Sequence, residues 1–114
     1  MPKRNVEKLI PVAMKVFEKH KNEFNPETKG YFASFGPSVM MAGLLQTVLF
    51  YDSKSEYINR IIWEIMTDES IKWSEGKKSL KDLVEKNNNI LNKKRVLEVI
   101  VACKLVIKTY ELEE

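Results

Sequence analysis

The chain has 114 residues, 44% hydrophobic and 31% charged, with 19 lysines and arginines against 16 aspartates and glutamates, a net charge of +3 and a pI of about 8.9. That length makes one domain with its own core and excludes two, and Cys103, the single cysteine, excludes an internal disulfide. The mildly basic balance is compatible with RNA, DNA or an acidic partner and is diagnostic of none.

Met1-Pro2-Lys3-Arg4 is not followed by an uninterrupted apolar segment, because Glu7, Lys8 and Pro11 intervene. No secretory signal is read, and the expected location is cytoplasmic. The first helix is predicted over Asn5–His20. Val6, Leu9, Ile10, Ala13, Val16 and Phe17 form its apolar stripe. Arg4, Lys8, Lys15 and Lys19 align opposite, as a solvated face or an RNA contact. Pro11 kinks this helix or marks its start.

Residues 22–35 are predicted as a connection, with Asn25-Pro26 and Gly30 as turn signals. Phe24, Tyr31, Phe32 and Phe35 are too aromatic for a linker. They fold back on the core in a short helical turn, or else form an exposed patch used in assembly.

No charge falls between Lys29 and Asp52. Over Gly36–Lys54 a single helix is predicted, with Pro37 in its first turn. Met41, Leu44, Leu45, Val48 and Tyr51 share one face; Val39, Ala42, Leu49 and Phe50 lie on the other. A helix apolar almost all round belongs at the centre of a small protein. Ser34, Gly36, Pro37, Ser38, Gln46 and Thr47 interrupt the roughly 20 mainly apolar residues that a membrane span needs.

Ser53 and Glu56 have capping-box spacing before an amphipathic helix with Ile58, Ile61, Ile62, Ile65 and Met66, flanked by Trp63. A turn follows at Thr67-Asp68-Glu69, holding Ile71 and Trp73. Gly76-Lys77-Lys78 is a loop. Ser79 with Asp82 caps a short helix through Leu80, Leu83 and Val84, and Asn87-Asn88-Asn89 ends it. The last helix is predicted over Asn92–Leu112. It buries Val96, Leu97, Val99, Ile100, Cys103, Val106, Ile107 and Tyr110, while Glu98 and Lys104 stay wet. Glu111-Leu112-Glu113-Glu114 opposes the helix dipole, so this end frays. The predicted fold class is all-α: a single-domain bundle, residues 1–114, of about five to six helices around a buried central helix.

No catalytic constellation is read, and no cofactor is implied. A zinc site needs four ligands of a kind that His20 and Cys103 alone cannot supply, and His20 is expected at the solvated surface. Asp68-Glu69, and Asp52 with Glu56, are read as helix-start acids rather than magnesium ligands. Lys93-Lys94-Arg95 is the most informative charge cluster: cations near a helix N-terminus are disfavoured unless an anion such as a phosphate is present. Lys54 and Arg60 are further candidates, and Lys77, Lys78 and Lys81 extend the surface. No aromatic platform accompanies them, so phosphate contact without base reading is expected.

Gly43-Leu44-Leu45-Gln46-Thr47-Val48-Leu49-Phe50-Tyr51, followed by Ser53-Lys54, resembles the signature helix of the small α-helical subunit of the type III-B CRISPR effector, the Cmr ribonucleoprotein complex. The likeness is strong over about a tenth of the chain; elsewhere it extends only to helix order and length. It implies a helical bundle without enzymatic activity, stacked in several copies with other subunits along a crRNA-guided complex. There it lines the channel for target RNA, whose cutting is done by neighbouring subunits. No membrane and no small-molecule substrate are implied. Gly43, Leu44, Leu45, Gln46 and Phe50 carry the signature, and Lys54 matches its basic end. Lys108-Thr109-Tyr110 stands where the family has an aromatic-basic segment, without the second basic residue. Met40-Met41-Ala42 stands where members often have a basic residue, so that position should meet protein or core. The alternatives are the type III-A small subunit and a helical protein-interaction module without RNA contact.

Overall fold

The computed structural model describes residues 3–73 and 79–110, without the side chains of Lys3 and Arg4. The expectations for Arg4, for Gly76-Lys77-Lys78 and for the acidic residues 111–114 lie outside the described residues. Six α-helices follow one another: α1 (Lys3–His20), α2 (Thr28–Ala42), α3 (Leu44–Lys54), α4 (Glu56–Thr67), α5 (Leu80–Lys86) and α6 (Ile90–Ile107), with a 3-10 turn, Lys21–Glu23, after α1. No strand occurs among the described residues, and none of the helices is long and apolar enough to cross a membrane.

The first helix follows its pattern. Val6, Leu9, Ala13, Val16 and Phe17 are buried, and the exposed Pro11 lies inside the helix, which is described from Lys3 and so does not start at Pro11. The next stretch is a correction: helix begins at Thr28, so most of the predicted connection 22–35 is α2. Phe32, Phe35 and Val39 repeat at spacings of three and four and are fully buried. Phe32 stacks on Phe17 with centroids 5.3 Å apart, and Phe24 meets Phe17 and Tyr110 edge-on. These aromatics belong to the core, not to an exposed assembly patch.

The predicted single helix 36–54 is two helices. Gly43 breaks it, at φ 97° and ψ 160°, a region essentially reserved for glycine. Ser38 Oγ and Thr47 Oγ1, 2.8 Å apart, tie α2 to α3 across the break. Each half then has its own outer face. Leu44, Val48 and Tyr51 are buried, but Leu45 is only half-buried, and Met40, Met41, Leu49 and Phe50 are exposed. The buried centre passes instead to α4 and α6. Ile58, Ile61, Ile62, Ile65 and Met66 of α4 are wholly inaccessible, as are Val96, Val99, Ala102 and Cys103 of α6.

Ser55, not Ser53, precedes α4, and Asn59 Nδ2 donates to the Val48 carbonyl at 2.8 Å, locking α4 to α3. Ser79 Oγ accepts from the Asp82 N–H at the start of α5, as its spacing predicts. The last helix starts at Ile90, because Asn89 Oδ1 accepts from the Asn92 N–H at 2.9 Å. Glu98, expected to stay wet, is buried, and its Oε2 has no hydrogen-bond partner.

Candidate functional site

The packing of α1 against α4 decides which cations are free. Lys15 Nζ lies 2.5 Å from Asp68, and Lys19 Nζ lies 2.6 Å from Glu64. Arg60 pairs with Glu56 on its own helix and reaches Glu23 at 3.4 Å. These three candidate RNA contacts are therefore held by carboxylates. Burial pushes the Glu64 carboxyl up, but hydrogen bonds from Lys19 and His20 outweigh it and leave the group below its ordinary value. Asp68 is held down at about 2 by the Lys15 ammonium, helped by the Ser70 N–H and hydroxyl.

His20 is not the solvated residue its charged surroundings predict. The end of α1 presses it against α4 and leaves it 8% exposed. Its Nδ1 lies 2.6 Å from Glu23 and its Nε2 is hydrogen-bonded to Glu64. Through these two carboxylates the ring joins α1, the 3-10 turn and α4. Burial pushes the Cys103 thiol up, as suits an inert core cysteine. No group of three metal-ligating side chains occurs among the described residues.

Arg95 has an internal partner as well. Its guanidinium sits over the Trp73 ring, 5.3 Å from the centroid, and donates to the Trp73 carbonyl at 3.3 Å. The predicted triplet therefore splits: Arg95 turns inward, while Lys93 and Lys94 face outward. At the N-terminus of α6 the Asn92 amide is already partnered by Asn89 Oδ1.

One arrangement was missed. With 3.6 residues per turn, Lys93, Leu97, Val101 and Lys104 fall within about 80° of arc on α6, Lys108 directly after the helix continues that line, and Lys94 lies at its edge. The stripe is about 22 Å long at 1.5 Å per residue. Lys94, Lys104 and Lys108 are exposed, Lys93 is half-buried, and none of the four has an ion-pair partner among the described residues. No acidic residue shares the arc among the described residues. Lys104 was legible from its 11-residue spacing to Lys93, three helical turns. Lys54, at the exposed end of α3, is likewise unpaired.

The second feature is apolar. Met40 of α2 with Ile90, Lys93, Lys94 and Leu97 of α6 lines an open groove of about 600 Å³. It forms because α2 lies close on α6: Gly36 sits where an added Cβ would touch Ile100 at 3.8 Å and Leu97 at 4.0 Å.

Comparison with known proteins finds no matching family model, no similar curated protein and no similar solved structure.

Proposed function

We propose that this chain is a non-catalytic, RNA-contacting small subunit of a type III-B CRISPR effector, working in the cytoplasm in antiviral defence. In that role it packs beside copies of itself and other subunits and supports the backbone of a crRNA-guided target RNA. The likeness of Gly43–Lys54 to the signature helix names the family. The observation that carries the RNA contact is the α6 stripe: Lys93, Lys104 and Lys108, with Lys94, are cations without an ion-pair partner among the described residues. Such a row suits a phosphate backbone and reads no bases. Lys54 on α3 is a further contact. Catalysis is assigned to other subunits.

The test is co-expression with the remaining subunits and crRNA of a type III-B effector, followed by purification through a tag on another subunit. The chain is expected to co-purify, and a complex lacking it is expected to bind target RNA more weakly. Co-purification with type III-A subunits alone would move it to that class. Failure with both would overturn the reading.

A further inference from the structure

We propose that the groove between α2 and the start of α6 is a docking site for an amphipathic helix of a partner protein, one whose apolar face is flanked by glutamate or aspartate. It takes Lys93 and Lys94 out of the proposed RNA stripe and leaves Lys104 and Lys108 to it, so it does not rest on the RNA reading. The groove is floored by Met40, Ile90 and Leu97, and its polar residues are Lys93 and Lys94. Met40 is 65% exposed and Ile90 85%; beside them, Met41 is 90% exposed. Side chains of this kind gain nothing from the fold where they stand. Ile90 is the first residue of α6, where Asn89 already provides the cap, so an apolar side chain is not required there. Methionine suits a surface that must adapt to an incoming helix.

Charge decides the occupant. Among the described residues no carboxylate lines the groove, and Lys93 and Lys94 have no ion-pair partner. A phosphate strand would satisfy the lysines but leave Met40, Ile90 and Leu97 uncovered. A second copy presenting the same surface would set lysine against lysine. A helix with apolar residues at spacings of three and four and acids beside them satisfies both features.

The experiment is a selection from a displayed library of amphipathic helical peptides, using the intact chain as bait and the Met40→Asp variant for counter-selection. Met40 is exposed, so this variant is expected to fold, which a CD melt checks. Enriched peptides are expected to carry acids flanking the apolar positions. Binding of a selected peptide should fall about tenfold or more in Lys94→Glu and be unaffected by Lys104→Ala with Lys108→Ala. Recovery of no peptide, of peptides without acidic bias, or of peptides indifferent to Met40→Asp would overturn the proposal. So would displacement of the selected peptide by a 12-residue oligouridylate, which would give the groove to RNA. Loss of RNA binding in Lys104→Ala with Lys108→Ala bears on the strand contact alone, so the two readings fail separately.

Discussion

The Arg95 guanidinium lies over the Trp73 indole at 5.3 Å and donates to the Trp73 carbonyl at 3.3 Å, which ties the loop after α4 to α6. A cation that looks free in the sequence thus has an internal task. Arg95→Ala is expected to cost about 1 kcal/mol, from the cation–π contact and the lost hydrogen bond. It should also shift Trp73 emission, read in a Trp63→Phe background. In the proposed RNA-bound complex the salt dependence should stay as it is. A flattened salt dependence with unchanged stability would return Arg95 to the RNA surface.

Gly43 and Gly30 should respond oppositely to alanine. Neither added Cβ meets an atom within 4 Å, so space does not decide. At Gly43 the backbone has φ 97° and ψ 160°, and Gly43→Ala is expected to cost on the order of 1–3 kcal/mol. Gly30 lies inside α2, where Gly30→Ala removes unfolded-state freedom and should stabilise by about 0.5–1 kcal/mol. Urea titrations with unchanged m-values check both.

Lys15–Asp68 should give the protein an acid-sensitive step. The Asp68 carboxyl is lowered from 3.8 to about 2. A depressed folded-state value contributes stability that is present above the unfolded value and lost as pH falls through the folded one. The loss therefore runs from about pH 4 to pH 2. Lys15 is largely exposed, so solvent screening limits the contribution to about 1 kcal/mol. Asp68→Asn should be less stable than the parent at pH 6 and nearly equal to it at pH 2. A constant difference across that range would show that the pair is not the cause.

Glu98 is buried in α6 with its Oε2 unpartnered. An unmade hydrogen bond at a buried polar group costs about 1–3 kcal/mol in proteins. Glu98→Met keeps the length of the side chain and removes that cost. Its urea midpoint should rise, and a fall would mean that the carboxylate has a partner in solution.

Much of the bundle was legible where one period dominates. The stripe Leu9–Ala13–Val16–Phe17 gave α1, and Ile58–Ile61–Ile62–Ile65 gave α4. Ser79 and Asp82 located the start of α5, because capping is a local interaction. The stretch from Tyr31 to Tyr51 was not legible in this way. It is apolar on every side, so periodicity does not reveal where the axis turns, and Gly43 within a helical pattern looks like a tolerated glycine. The overestimate of Leu45 follows from treating two axes as one. The surface was misread for a different reason. Whether Lys15, Lys19 and His20 are free depends on Asp68 and Glu64, which come beside them only when α1 meets α4 and the turn after it, whereas Arg60 pairs with Glu56 at a spacing of four on its own helix. Lys104, by contrast, needed only the α6 pattern followed to its end.

The last prediction concerns the strand along α6. If Lys104 and Lys108 each neutralise one phosphate, then Lys104→Ala with Lys108→Ala should flatten the plot of log affinity against log salt by about 0.7 per lost contact for single-stranded RNA. One copy offers few charges, so the measurement belongs in the assembled complex, where copies add. Affinity should fall by a similar factor for target RNAs of unrelated sequence, since phosphates carry no base identity. Lys15→Ala with Lys19→Ala is the matched control: it removes the same charge from cations already held by Asp68 and Glu64. It should lower thermal stability and leave the salt slope nearly unchanged. Equal slopes for parent and the α6 variant would make the stripe an ordinary solvated face. Failure of that variant to assemble would instead assign Lys104 and Lys108 to an acidic protein surface. A flattened slope in the α1 variant alone would place the strand on α1, with the Lys15 and Lys19 ion pairs opening to receive it.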